Sequence, residues 1–217
     1  MIKLKKTFIS HIAAMGGTDK ERNHPYGTIY DLVFNHQYLR KGEAVSVLEI
    51  GVSKGGSMVA YIDQGEQYIN KIVGIDIEHK LRKAYRHRIA KTPYAHVEIG
   101  NAYTDEFIKE IEKKYGKFDI IIDDGPHSLI SQEFTLRRYH DLLNEGGVIL
   151  IEDVAYNSRA GELRAITPAL PALPGQQEPW LEDLKKIKEE LDLYIIDLRH
   201  NRTPDRFGDS LIILRYK

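Results

Sequence analysis

Short runs of branched apolar residues recur along the chain, near 45–50, 72–76, 95–99, 118–123 and 147–152. Ile120 to Ile122 and Val148 to Ile151 are continuous rather than alternating, which is the pattern of a strand buried on both faces. The stretches between them, 54–64, 80–90, 104–115 and 129–143, place apolar residues three or four apart, and two similar stretches precede the first run, near 2–14 and 25–40. Regular alternation of strand and helix predicts an α/β fold, a doubly wound and mostly parallel sheet with helices on both faces and right-handed crossovers.

After Asp153 the pattern fails. Residues 154–179 hold Pro168, Pro171, Pro174 and Pro179 among small and polar residues, and two readings stand side by side: a lid or specificity loop, or a disordered insertion. A helical pattern resumes from Trp180 to Leu191, and two apolar runs follow, Tyr194 to Leu198 and Leu211 to Leu214. Joined as a hairpin, they bring the sheet to seven strands with an antiparallel strand at the C-terminal end. The chain then reads as one domain over 1–217, with a helical appendage at 1–42 and the loop at 154–179.

Composition narrows the function. With 217 residues and 42% hydrophobic content, one full-sized core is expected. The formal charge of −1, from 31 basic and 32 acidic residues, provides no field to recruit nucleic acid or an anionic membrane. A small-molecule substrate is the expectation, with homo-oligomerisation left open. The chain has no cysteine, which excludes disulfides, thiolate metal sites and a cysteine nucleophile. No signal-like or membrane-spanning apolar run is present, and a cytoplasmic location is expected.

Two constellations carry chemistry. In the first, Val45 to Ile50 runs into a glycine-rich turn, Gly51-Val52-Ser53-Lys54-Gly55-Gly56-Ser57, ahead of a helix. Gly51 permits a sharp turn, and Gly55 and Gly56 clear space at a helix start whose amides suit a polar or anionic group. Ser53 stands where a dinucleotide fingerprint has its second glycine, and Glu49 precedes the turn, so a nucleotide-type pocket fits better than a dinucleotide one. Asp76 closes the second strand, where a carboxylate accepts ribose hydroxyls, and Asn101 follows the third, in reach of a base.

The second constellation is Asp123-Asp124-Gly125-Pro126-His127 together with Glu152-Asp153. Parallel neighbouring strands bring both clusters to one rim. Three carboxylates there repel one another unless protonated or bound to a cation, and oxygen ligands without thiolates point to a hard ion, magnesium first. Asp124, Glu152 and Asp153 are the expected ligands and His127 the expected base. Asp123, one step back along the strand, should point the other way.

In this order the residues resemble class I S-adenosylmethionine-dependent methyltransferases, through Glu49 to Gly56 and Asp76. More narrowly, Gly17-Thr18-Asp19-Lys20 with His24 and Tyr26, Leu48-Glu49-Ile50-Gly51, Asp123 to His127, and Ile151-Glu152-Asp153 look like the macrocin and mycinamicin sugar O-methyltransferase group, which also resembles cephalosporin hydroxylase. Pro126 stands where that group commonly has serine. The resemblance implies S-adenosylmethionine as cofactor, with Thr18, Glu49, Gly51, Ser57, Asp76, Asn101 and Asp123 around it. It also implies magnesium on Asp124, Glu152 and Asp153, His127 as the base, and a sugar-containing acceptor. Alternatives are a metal-dependent hydroxylase, a catechol-type O-methyltransferase, or a non-catalytic cofactor-binding protein.

Other conspicuous residues have plainer readings. The basic stretch His79 to Arg88 reads as a solvated helix face. His11, His36, His87, His96 and His140 have no ligand spacing and read as surface or core histidines. His24 and Tyr26, beside Tyr30 and Phe34, read as core packing, and Thr18 and Asp19 as cofactor contacts or helix caps.

Overall fold

The computed structural model describes residues 20, 26–154, 191–197 and 210–216. The expected helix near 2–14, most of the 154–179 loop and the helix from Trp180 lie outside the described residues.

Five α-helices and seven strands follow one another in the described chain: α1 (Gly27–Lys41), β1 (Val45–Ile50), α2 (Gly56–Gln64), β2 (Ile69–Asp76), α3 (Lys83–Ala90), β3 (Ala95–Ile99), α4 (Asp105–Tyr115), β4 (Phe118–Asp123), α5 (Leu129–Arg138), β5 (Leu143–Ile151), β6 (Leu191–Asp197) and β7 (Ser210–Tyr216). The strands form one sheet in the order β3-β2-β1-β4-β5-β7-β6. β1 to β5 are parallel to their neighbours, and β7 runs antiparallel to both β5 and β6. The chain winds outward from β1 in one direction through β2 and β3, then returns to place β4 on its other side. The switch point therefore lies between β1 and β4, where ligands gather in sheets of this kind.

Alternation along the strands sends residues into two cores. Val45, Val47, Ile120, Ile122, Val148 and Leu150 meet α1, α2 and α3 on one face. Leu48, Ile50, Ile121, Ile149 and Ile151 meet α4 and α5 on the other. Every residue of β1 and β4 is buried, including the polar Ser46, Glu49, Asp119 and Asp123; truncating a large apolar side chain there to alanine costs roughly 2–5 kcal/mol. The helix starts follow local chemistry. Thr104 accepts a hydrogen bond from the Phe107 amide at the head of α4, which opens with Asp105 and Glu106 and closes with Lys113 and Lys114. Ser128 does the same for α5 through the Ser131 amide. Each cap is worth about 1 kcal/mol, and the charges suit the helix dipole.

Several boundaries differ from the sequence reading. β2 begins at Ile69 and β5 at Leu143, because Asn70, Lys71, Asn144 and Glu145 continue the strands without continuing the apolar run. The helix expected over 129–143 stops at Arg138 and tightens into a 3-10 turn over Tyr139–Leu142. The helix expected from Lys54 starts at Gly56, because Gly55 at its head is left-handed, with φ 88°. Among the described residues, no helix is long and apolar enough to cross a membrane.

Candidate active site

The loops after β1, β2, β3 and β4 surround a cleft of about 430 Å³, whose polar lining includes Ser53, Asp76, Lys80, Asn101, Tyr103 and Asp124. Gly51 makes its floor possible. Its φ is +88°, and a Cβ there would lie 1.9 Å from the carbonyl oxygen of Asp124, so only glycine lets the loops after β1 and β4 touch. The ladder continues past the strand ends through Gly51 N–H to Ile75 O (2.8 Å) and Asp124 N–H to Ile50 O (2.9 Å). Asp76 Oδ2 accepts from the Ser53 amide at 2.7 Å, bracing the glycine turn. Asn101 Oδ1 accepts from the Tyr103 amide at 3.0 Å.

Two acids sit behind this cleft. Glu49 is fully buried; its oxygens accept from Ser57 Oγ (2.6 Å) and Tyr61 OH (3.1 Å), and burial raises its carboxyl to about 7 against the pull of Lys20. Asp123 is also buried, on the opposite face of the sheet, accepting from Tyr103 OH (2.7 Å), the Gly125 amide (3.2 Å) and Thr135. Burial raises its pKa despite those donors. The clasp pins the loop after β4 between β3 and α5, and a Cβ at Gly125 would collide with the Tyr103 hydroxyl at 1.9 Å.

Beside the cleft, on the α1 face, the acids after β4 and β5 form a crevice. Strand alternation puts Glu49, Asp124 and Glu152 on the same side, and Lys20 lies among them, 1% exposed. Its ammonium donates to Asp124 Oδ2 at 2.7 Å and Glu152 Oε1 at 2.6 Å, and stands 3.7 Å from Glu49 Oε1. Burial alone would lower its pKa, but Asp124 and Glu152 outweigh burial and hold it well above the usual lysine value. Tyr30 also donates to Glu152 Oε1, and Tyr26 OH donates to Asp153 Oδ1 at 2.6 Å. Burial and Asp124 push Glu152 above the usual carboxylate range, against Lys20 and Tyr30. Gln132 secures the backbone below, donating to the carbonyls of Glu152 (3.1 Å) and Asp153 (3.3 Å).

The open side of the crevice belongs to His127, a third exposed, with Nε2 3.7 Å from Asp124 Oδ1 and 3.6 Å from Asp153 Oδ2. Asp124, His127 and Asp153 each offer a ligand atom, all within 4.8 Å of one another. The two carboxylates, in a chain without cysteine, suit a hard divalent ion that keeps water or substrate oxygens in its remaining positions, with the imidazole beside them. Ser53, His127 and Asp153 are also left-handed without being glycine, with φ of 49°, 54° and 51°. Such conformations cost about 1 kcal/mol or more each and concentrate where geometry is functional.

The structure thus brings Gly51, Asp76 and Asn101 to the cleft lining and Asp124, His127, Glu152 and Asp153 to the crevice, and sets Glu49, Ser57 and Asp123 in the buried layer supporting them. Thr18 and His24 lie outside the described residues. Sequence reasoning left Lys20 without a role and took Tyr26 and Tyr30 as packing only. All three are fully or nearly fully buried, yet their polar ends face the crevice. The hint available was Tyr26 and Tyr30 standing four apart at a helix start, on one face. For Lys20 the hint was its place in the Gly17-Thr18-Asp19-Lys20 motif, which gave no partner, since its partners are 104 and 132 residues away. The basic stretch before and along α3 is mostly exposed, with Ile89 as the buried residue of that helix.

Known proteins resemble this chain in sequence and fold. Residues 48–154 match the sequence profile of a family described as a methyltransferase domain. A curated relative from Streptomyces olivaceus, 8-demethyl-8-alpha-L-rhamnosyl tetracenomycin-C 2'-O-methyltransferase, is 25% identical over 209 residues, covering 92% of this chain and 48% of its own length. Demethylmacrocin O-methyltransferase of Streptomyces fradiae is 28% identical over 182 residues, covering 78% of this chain and 40% of its own. The chain therefore spans about half or less of the curated relatives it matches. Among solved structures, the MycE methyltransferase of the mycinamycin pathway, bound to Mg and SAH, superposes with a TM-score of 0.65 at 22% identity, covering 98% of this chain and 56% of the other. An O-methyltransferase from Bacillus cereus in complex with SAH gives 0.58 at 17% identity, covering 100% and 94%. The seven-stranded sheet with its antiparallel β7 is the fold these proteins share, and residues 48–154 form a methyltransferase domain in a chain distantly related to the macrocin and tetracenomycin sugar O-methyltransferases.

Proposed function

We propose that the chain is an S-adenosylmethionine-dependent, magnesium-assisted O-methyltransferase that acts on a sugar hydroxyl of a glycosylated small molecule. One observation carries the reading: Asp124 belongs to both halves of the site. It lines the cleft with Gly51, Asp76 and Asn101, and its carboxylate stands 3.7 Å from His127 Nε2 in the crevice. A donor in the cleft and an acceptor in the crevice would meet across this residue. The relatives support the acceptor class, since the tetracenomycin enzyme is named for methylating a rhamnosyl group, and MycE has been crystallised with mycinamycin VI.

An alcohol is a poor nucleophile, so transfer to it needs alkoxide character at the attacking oxygen. S-adenosylmethionine supplies an electrophilic methyl group, and a divalent ion stabilises the developing alkoxide. The residues do the rest. Asp76 and Asn101 would orient the ribose and base, and the helix start at Gly56 would face the polar end of the donor. Asp124, Asp153 and Glu152 would hold the ion, with Lys20 and Tyr30 fixing Glu152 Oε1. His127 would take the hydroxyl proton at Nε2. A two-histidine, one-carboxylate iron set would suit hydroxylation; the candidate cluster among the described residues has one histidine and two carboxylates.

The test is mass spectrometry of glycosylated acceptors incubated with protein, S-adenosylmethionine and magnesium. The expected product gains one methylene in mass, on sugar, and only with Asp124 and His127 intact. A gain of one oxygen atom, or methylation undiminished in Asp124→Ala, would overturn the reading.

A further inference from the structure

We propose that Tyr103 locks the loop between β4 and α5: its hydroxyl, set against Gly125 and bonded to Asp123, keeps His127 in place beside the cleft. The proposal rests on the reading of His127 as the base. Main chain sets the path of this short loop, through the Asp124 amide on Ile50 O (2.9 Å) at one end and the Ser128 cap on the Ser131 amide (3.1 Å) at the other. Between them His127 is left-handed, with φ 54°. A residue with a Cβ stays in that conformation only while its surroundings hold it there.

Tyr103 supplies the hold. Its hydroxyl donates to Asp123 Oδ1 at 2.7 Å, and the same oxygen accepts the Gly125 amide at 3.2 Å. Thr135 donates to the other oxygen, Oδ2, which keeps the carboxylate from swinging. The tyrosine is as firmly seated: its ring stands edge-on to Phe134 with centroids 6.0 Å apart, and Tyr139 OH ties the preceding residue through Ala102 O at 2.7 Å. Pro126 has no amide to donate, so Gly125 N–H is the last backbone donor before His127.

Gly125 bears the mark of this contact. Unlike Gly51 it is not left-handed, so backbone conformation does not demand a glycine there. Space does: a Cβ would lie 1.9 Å from the Tyr103 hydroxyl oxygen, against 3.1 Å from the ring Cζ and 3.0 Å from Asp123 Oδ1. Tyr103 also lines the cleft, so one side chain borders the donor pocket and steadies the loop of the base. It is a positioning residue, acting on the reaction through Asp123 and Gly125.

The experiment compares wild type with Tyr103→Phe, Thr135→Val, Gly125→Ala and the double variant Tyr103→Phe with Gly125→Ala. It reads hydrogen exchange of the Gly125 and His127 amides by NMR, thermal melting, and the kcat and KM of methyl transfer to a glycosylated acceptor that wild type methylates. Tyr103→Phe should speed exchange at both amides roughly tenfold, about the worth of one hydrogen bond. Its kcat should fall about 10- to 100-fold, as a displaced base implies, with KM for S-adenosylmethionine within about threefold because the ring remains. Thr135→Val takes a hydrogen bond from the same carboxylate but not from the oxygen that holds Gly125, so exchange and kcat should stay within about threefold of wild type. A merely structural clasp would move both variants alike. Gly125→Ala should lower the melting temperature, and adding Tyr103→Phe should restore most of the loss, whereas independent lesions add. Unchanged exchange in Tyr103→Phe, equal effects of the two hydroxyl removals, additive losses in the double variant, or faster exchange with undiminished kcat each overturn the role of Tyr103. Wild type that methylates no glycosylated acceptor overturns the proposed function instead, and exchange and melting then decide the lock by themselves.

Discussion

The cleft and the crevice lie a few residues apart along the same rim, yet they are built in different ways. The cleft is a product of backbone: a left-handed glycine, strand-end amides continuing the ladder, and an aspartate that accepts from the Ser53 amide 23 residues earlier. The crevice is a product of side-chain charge, held by Lys20, Tyr26 and Tyr30, which reach the acids from more than 100 residues away. Backbone construction makes a shape that survives most side-chain changes. Charge construction makes a balance that one substitution disturbs.

Substitutions can separate the two regions, beginning with the largest expected effect. His127→Asn keeps a residue that tolerates the left-handed conformation but removes the base. Methyl transfer should fall roughly 10²- to 10⁴-fold, while the affinity for S-adenosylhomocysteine, read by calorimetry, stays within about threefold; a large loss of that affinity would mean the regions are not separable. Gly51→Ala attacks a contact they share. The new methyl meets a backbone carbonyl at 1.9 Å, so thermal denaturation should show a loss of at least about 3 kcal/mol and both ligands should bind poorly. A stable variant with normal binding would show that the loops are free to part.

Glu49, buried between the regions, gives a pH signature. Burial raises its carboxyl from 4.5 to about 7, so below pH 4.5 the group is protonated whether the chain is folded or not. Between those values the folded chain keeps a proton that the unfolded chain releases, and stability falls as pH rises through the window, by about 3 kcal/mol in all. Glu49→Gln should flatten that part of the stability profile in urea titrations; an unaltered slope would place the proton elsewhere. The smallest effect belongs to Asp76→Asn, which keeps an acceptor for the Ser53 amide but loses the charge. Donor affinity should drop roughly five- to thirtyfold, about 1–2 kcal/mol, with Mn²⁺ affinity unmoved. A parallel loss of ion binding would contradict the division.

The same division explains what the sequence disclosed. β1 and β4 were legible because both faces are buried, leaving mostly apolar residues to read, and the acidic pairs Asp123-Asp124 and Glu152-Asp153 were legible because each comes at the end of an apolar run. Gly51 announced its turn because no other residue adopts that backbone so readily. Strand starts at Ile69 and Leu143 were hidden by polar residues on exposed stretches of the sheet. Lys20 was hidden for a deeper reason: pairing between distant residues is a property of the topology, and nothing near Lys20 in the chain encodes it.

The touch between Gly51 and the Asp124 carbonyl has a further consequence for how acceptor range changes. It joins the two loops into a single plate, so on the proposed reading the span from the cleft to His127 would be dictated by main chain and common to every acceptor. Redesign for a different sugar should therefore leave the seam between β1 and β4 alone and alter side chains on the β5 edge. There the reach of the pocket can vary while the transfer distance does not.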